Sequence, residues 1–113
     1  DHDLESLDMS AEFYVTFQPE DWYRTHRQLV IQIAQQLQSY QFLQSNIVYL
    51  KATTVTGNAW EYDVRLIFEE SQILLEISAI NDQLRQEIKA FLALFGQYVQ
   101  VDVIDDDGEQ TKW

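Results

Sequence analysis

The chain of 113 residues contains no cysteine, and this absence removes several kinds of chemistry. A disulfide framework, a thiolate zinc site and a cysteine nucleophile all need that residue type. Glycine is also scarce, with three residues, so a glycine-rich loop that holds nucleotide phosphates is excluded. With a single proline besides, the chain shows no internal linker, and its length fits one domain.

Basic residues are few, because 7 Lys and Arg stand against 19 Asp and Glu, for a formal net charge of −12. Nucleic-acid binding needs clustered basic side chains that neutralise phosphates, and here the closest pair is Arg24 and Arg27. We therefore expect no nucleic-acid partner and no contact with an anionic membrane. No apolar run approaches the roughly 18–20 residues that span a bilayer, and no leader peptide is visible. Together with the lack of cysteine, this favours a cytoplasmic protein.

The negative charge is concentrated at the two ends of the chain. Residues 1–12 hold five acids and no base, and residues 102–113 hold five acids and one lysine. The middle, residues 13–101, holds nine acids and six bases, which leaves −3. The predicted organisation is an acidic N-terminal extension over residues 1–11, a single domain over 12–104 and an acidic tail over 105–113. Met9 is a candidate natural start, in which case residues 1–8 either come from a vector or belong to a longer parent protein.

The first part of the predicted domain reads as a strand and a helix. Residues 12–18 alternate between apolar and polar, which predicts a strand. Pro19, followed by two acids, is typical of the first turn of a helix. Apolar residues then recur at spacings of three and four from Trp22 to Tyr40, which predicts an amphipathic helix over about 19–40.

The central part reads as a three-stranded meander. β-Branched and aromatic residues predict a strand over 47–56, and Gly57-Asn58 predicts a hairpin turn after it. The second strand, over residues 60–69, alternates most regularly, and a third is predicted over 73–80.

A second helix and a last strand complete the pattern. Asn81 is a predicted N-cap and Gly96 is expected at the C′ position after the helix. Val99, Val101 and Val103 alternate with polar residues, which predicts the final strand.

The predicted order is β-α-β-β-β-α-β, an α+β fold in which right-handed crossovers place both helices on a mixed sheet. This two-layer sandwich resembles the ferredoxin-like fold with one added strand in the middle. The resemblance concerns the order of elements only, and it implies no function.

Carboxylates are the only abundant reactive groups. Glu61 and Asp63 share the polar side of the central strand with Arg65, and Glu76 lies on the next strand. Three carboxylates on one sheet face can bind Mg²⁺ or Mn²⁺, with Asp102 as a further ligand. We favour the alternative of a solvated face, and we expect no cofactor, no metal and no catalytic residue.

Two other features have simple interpretations. His26 lies beside the apolar side of the first helix, which favours a packed residue over a catalyst. Residues 105–109 lack the spacing of a calcium loop and read as a solvated acidic tail.

Exposed aromatic residues beside acids suit a protein interface, and the alternative is that the tyrosine hydroxyls reach water from the edge of the core. The candidate interaction surface consists of Glu61, Asp63, Arg65, Glu76, Tyr14 and Tyr98.

The favoured function is a non-catalytic protein-binding module, such as an acidic inhibitor of a basic protein or an accessory factor for one. The alternative is a homo-oligomeric structural or regulatory domain, because apolar residues at outer sheet positions can form a dimer interface. Candidates for those outer positions are Ile67, Leu74, Ile80 and Ile104. A carboxylate or metal-dependent enzyme, and a carrier with a pocket near Trp22 and Trp60, are further alternatives.

Overall fold

The computed structural model describes residues 11–52 and 62–111, and within them it contains six strands and two helices. The elements in chain order are β1 (Ala11–Gln18), α1 (Glu20–Ala34), β2 (Tyr40–Gln44), β3 (Ile47–Leu50), β4 (Val64–Phe68), β5 (Ile73–Ile77), α2 (Asp82–Gly96) and β6 (Gln100–Asp105). The chain therefore has the predicted α+β fold, with one more strand than the sequence pattern indicated.

The six strands form one sheet in the order β2-β3-β4-β5-β1-β6, and every neighbouring pair is antiparallel. The prediction of a mixed sheet is therefore wrong. The physical reason lies in the crossovers, because neither helix joins two neighbouring strands. Helix α1 connects β1 to β2 at the far edge, and α2 connects β5 to β6, which lie on either side of β1.

The predicted first helix is too long, and β2 was not predicted. Helix α1 ends at Ala34, although Leu37 and Tyr40 continue its apolar spacing. The chain turns instead because Ser39, which is fully buried, is held from the other helix. The Oε1 atom of Glu87 accepts hydrogen bonds from the Ser39 backbone N–H at 2.9 Å and from its hydroxyl at 2.8 Å. A contact across 48 residues thus overrides the local periodicity.

A tight turn joins β2 to β3. Gln44 pairs with Ile47, so Ser45 and Asn46 form a two-residue turn in which Ser45 has a φ of 56°. This left-handed conformation costs a non-glycine residue about 1–2 kcal/mol. The turn is fastened to β4, because Asn46 Nδ2 donates to the Phe68 carbonyl at 3.0 Å and the Phe68 N–H donates to the Asn46 carbonyl at 2.8 Å.

The remaining predicted elements lie close to their expected places. Asn81 is confirmed as an N-cap, since its Oδ1 accepts the Leu84 N–H at 2.9 Å. Gly96 is the last residue of α2 rather than the C′ residue. Strand β3 ends at Leu50 and the chain is described from there only to residue 52, so the predicted Gly57-Asn58 turn and Trp60 lie outside the described residues.

Both helices pack on the same face of the sheet. Tyr23 of α1 stacks on Phe17 of β1 with ring centroids 4.8 Å apart, and Trp22 approaches Phe95 of α2 at 6.0 Å. One continuous core joins the helices to alternate residues of β1, β3, β4, β5 and β6. The helical layer thus covers one side of the sheet. Neither described helix is long and apolar enough to cross a membrane.

Helix α1 is attached to the end of β4 through two side chains. The Tyr23 hydroxyl donates to the Glu69 carbonyl at 3.0 Å. Arg27 donates from Nε to the carbonyls of Phe68 and Glu69, both at 3.1 Å, and from Nη2 to that of Phe68 at 2.5 Å. Burial raises the pKa of the Tyr23 phenol to about 12, against the opposing effect of the Arg27 charge.

This pKa predicts a loss of stability in alkali. Above pH about 10 the unfolded chain releases the Tyr23 proton, whereas the folded chain keeps it until pH about 12, so the free energy of unfolding falls as pH rises between these values. We expect Tyr23→Phe to lower the free energy of unfolding by about 1 kcal/mol at pH 7, because a hydrogen bond is lost. We also expect the decrease of this free energy between pH about 10 and about 12 to be smaller in the variant by about 1–2 kcal/mol.

Urea unfolding followed by circular dichroism at several pH values measures both effects. Tyr98→Phe is the matched control, because Tyr98 is 74% exposed and its replacement leaves the alkaline fall unchanged. An equally steep fall in Tyr23→Phe and the wild type contradicts the prediction.

Candidate functional site

The face of the sheet opposite the helices, here called the outer face, carries the candidate site. Its middle is a row of apolar side chains, one from each of five strands, that are neighbours in the pairing register. This apolar row consists, in order across the sheet, of Ile47, Ile67, Leu74, Tyr14 and Ile104. All five are partly exposed, because they contact one another sideways but no described helix covers them.

A second row of the outer face lies beside the apolar row and is aromatic at one end and charged at the other. It runs across Phe42, Tyr49, Arg65, Glu76 and Glu12 in the pairing register. Phe42 and Tyr49 stack with ring centroids 4.3 Å apart. This row therefore presents two stacked aromatic rings on β2 and β3 and ionic groups on β4, β5 and β1.

Arg65 links the aromatic and ionic parts of this second row. Its guanidinium lies 5.4 Å from the ring centroid of Tyr62 and forms an ion pair with the Glu76 carboxylate. Burial lowers the pKa of Arg65, but the hydrogen bond and charge of Glu76 outweigh it, so the pKa lies above its ordinary value. Arg65 stays charged and fixed in place, and it neutralises Glu76.

The structure brings three of the six predicted surface residues together. Tyr14 lies in the apolar row, and Arg65 and Glu76 lie in the row beside it. Tyr98 lies elsewhere, because it follows α2 and is exposed on the helical side of the molecule. Glu61 lies outside the described residues.

Asp63 is not a solvated residue, and the interpretation of it as one is wrong. It is 0% exposed, and its Oδ2 accepts the Ala52 N–H at 2.9 Å while Lys51 Nζ lies 3.9 Å from Oδ1. Its own N–H donates to the Leu50 carbonyl at 2.8 Å, and its carbonyl accepts the N–H of Ser78 at 2.8 Å. Asp63 thus connects the ends of β3, β4 and β5, which gives it a structural role.

Of the four residues predicted at outer positions of an oligomer interface, three lie on the outer face and one does not. Ile67, Leu74 and Ile104 lie in the apolar row. Ile80 lies beyond the end of β5 and packs against the core of the domain. Ile47 of the apolar row and Phe42 beside it were not singled out from the sequence, since β2 and its register with β3 were not predicted.

The carboxylates of the alternative metal site are not assembled among the described residues. Glu76 is held by Arg65, Asp63 is buried, and Asp102 accepts hydrogen bonds from Gln100 and Gln110. The described residues contain one group of three carboxylates within reach of a common ion, Asp105, Asp106 and Asp107. Asp105 Oδ1 already accepts the N–H groups of Asp107 and Glu109, as in an ordinary acidic turn.

A shallow groove of about 350 Å³ lies on the opposite side of the molecule, between the two helices. It is lined by Trp22, His26, Leu29, Ile33, Leu94, Phe95 and Tyr98. His26 stacks on Trp22 with ring centroids 4.5 Å apart, and its Nδ1 lies 2.7 Å from the Trp22 carbonyl oxygen. His26 is therefore a packed residue, and the lining offers few polar groups to orient a ligand.

Comparison of the chain with protein-family models, curated proteins and solved structures finds no significant match.

The buried position of Asp63 gives a stability prediction. Asp63→Ala leaves the Ala52 N–H and the Lys51 ammonium without this acceptor, so we expect the free energy of unfolding to fall by about 2–4 kcal/mol. Asp106→Ala is the control, since Asp106 is exposed, and we expect it to change stability by less than about 0.5 kcal/mol. Chemical denaturation of both variants measures the change in the free energy of unfolding. Equal changes in Asp63→Ala and Asp106→Ala contradict the structural role of Asp63.

Proposed function

We propose that the chain is a non-catalytic protein-binding module that holds a partner on its outer face. The observation that supports this is the apolar row, which crosses five strands while both described helices cover the other face. A sheet that is apolar on both faces buries one of them against its own helices and leaves the other for a partner. Aromatic rings and an ordered arginine beside the row are the residue types enriched in protein interfaces.

The charge around the outer face favours a basic partner. Glu12 and Asp102 lie on β1 and β6, and the acidic turn of residues 105–109 continues from the same edge. Arg65 does not offset these acids, because Glu76 already neutralises it. An acidic edge beside an apolar surface attracts a basic protein and speeds the encounter. An acidic inhibitor of a basic protein, or an accessory factor for one, has this combination of features.

A homo-oligomeric structural or regulatory domain is the second candidate, because the apolar row is equally able to bury itself against a copy of the chain. The acids at the β1 and β6 side weigh against that use of the outer face. A carboxylate or metal-dependent enzyme has less support still, since Asp63 and Glu76 are engaged by Lys51 and Arg65.

We also propose two finer assignments. Strands β4, β5, β1 and β6 with the two helices are a ferredoxin-like unit, to which the β2–β3 hairpin is added at one side. The strand order and the positions of the helices in the chain support this assignment. A cytoplasmic location is supported by the lack of cysteine.

The proposed binding surface is tested by two matched substitutions. Leu74→Gln places an amide in the middle of the apolar row, and Leu94→Gln makes the same change in the groove between the helices, where Leu94 is 41% exposed. A buried leucine contributes about 1.5–3 kcal/mol, so we expect Leu74→Gln to weaken partner binding by about 10–100-fold and Leu94→Gln to leave it unchanged.

The measurement is affinity capture from cell extract on the immobilised wild type and both variants, with quantitative mass spectrometry. The proposal expects basic proteins that the wild type and Leu94→Gln retain, that Leu74→Gln loses, and that salt releases. If only the Leu94→Gln variant loses the captured proteins, the binding surface is the groove between the helices instead. Captured proteins that are acidic, or insensitive to salt, overturn the choice of a basic partner.

A further inference from the structure

We propose that strand β2 pairs with β2 of a second copy of the chain. The two copies then join edge to edge about a two-fold axis near Leu43, and their two six-stranded sheets become one antiparallel sheet of twelve strands. The interface uses the edge of the sheet and leaves the outer face open, so this inference does not rest on the proposed partner.

The two edges of the sheet differ in how they are covered. Beyond β6, the chain turns back and bonds to it, through the Thr111 N–H to the Val103 carbonyl at 2.8 Å and the Asp105 N–H to the Glu109 carbonyl at 2.9 Å. Ile104 and Gln110 also form an antiparallel bridge. At the other edge, β2 pairs with β3 on one side and with no strand of the described residues on its outer side. The return thus covers residues 103–105 of β6, whereas β2 has no strand on its outer side along its whole length within that part of the chain.

The side chains of β2 lack the features that discourage edge pairing. Natural edge strands carry charges or proline, which prevent a second strand from adding to them. The sequence of β2 is YQFLQ, with neither. Moreover, both of its faces are apolar. Phe42 stacks on Tyr49 on the outer face, and Leu43 lies beside the buried Val48 on the helical face while remaining 38% exposed.

The charge pattern favours a second copy of the chain as the occupant. Between Arg27 and Lys51 lie 23 residues, 28–50, with no Asp, Glu, Lys, Arg or His, although 26 of the 113 residues are Asp, Glu, Lys or Arg. This stretch includes β2, β3 and the second half of α1. Two chains of −12 repel each other elsewhere, but here they approach without facing like charges. A basic partner finds no complementary charge at this edge, whereas the same uncharged edge of a second copy matches it.

The register follows from the shape of the strand. The pairing of β2 with β3 is irregular between Tyr40 and Phe42, so the regular part of the edge is Phe42–Gln44. An antiparallel two-fold pairing of these three residues is centred on Leu43. It places Leu43 against its own copy and Phe42 beside Gln44 of the second chain. The two Leu43 side chains then extend the core beyond Val48.

The interface is small. The three residues of the regular edge span about 10 Å, so the buried area lies at the low end for specific complexes. We expect a dissociation constant of about 1–100 µM.

Sedimentation equilibrium on the full chain and two leucine variants tests the pairing. Leu43→Lys places a charge at the centre of the interface, and Leu94→Lys makes the same change at a leucine of similar exposure on the helical layer. We expect a dimer for the wild type and for Leu94→Lys, and at least a tenfold weaker association for Leu43→Lys. Circular dichroism confirms that both variants are folded.

Amide hydrogen exchange locates the interface independently of any substitution. Above the dissociation constant, the amides of residues 40–44 exchange more slowly than in dilute samples, while those of 100–105 do not change. A wild type that stays monomeric at about 300 µM overturns the proposal. A dimer that persists in Leu43→Lys also overturns it. In that case, loss of the dimer in Leu74→Gln places the interface on the outer face, and loss in Leu94→Lys places it on the helices.

Discussion

The carbonyl groups at the end of β4 are the point on which the arrangement of the whole domain depends. The Phe68 carbonyl accepts hydrogen bonds from Arg27 of α1 and from Asn46 of the β2–β3 turn, and the Glu69 carbonyl accepts them from Arg27 and Tyr23. These contacts fix the first helix and the added hairpin to one end of a central strand. Because carbonyl groups that are taken out of water need hydrogen-bond partners, these contacts hold the helix over one face of the sheet, and no described helix covers the opposite face.

Residues whose environment follows from their neighbours in sequence could be predicted. The alternation around Phe13, Val15 and Phe17 sufficed for β1, and the regular pattern of β4 and β5 sufficed for their buried sides. Features that depend on distant residues could not be predicted. Helix α1 ends early because Glu87 binds Ser39, and the turn at Ser45 contains no glycine that signals it. Strand pairing is likewise absent from local patterns, so the position of β1 between β5 and β6 was missed.

The residues of the candidate site likewise separate into those that local sequence patterns predict and those that depend on distant contacts. Tyr14, Arg65 and Glu76 were found because alternation alone places them on the outer sides of their strands. The prediction for Asp63 fails for an equally physical reason, since the sequence pattern alone does not show that the Ala52 N–H uses this carboxylate as its acceptor. Tyr98 was grouped with the sheet because it precedes the valines of β6, although the strand begins only at Gln100.

The short return of the chain over β6 sets how far self-association can proceed. When β2 pairs with its own copy, the β2 edge of both chains is no longer available for further pairing. Each chain can then bind only one other chain, as long as its other edge is covered. Residues 109–111 cover residues 103–105 of that edge. If these residues detached, each chain would have a second open edge. Backbone hydrogen bonds could then join one dimer to the next and form an extended polymer. Three residues beyond the last strand therefore mark the difference between a finite complex and a polymer.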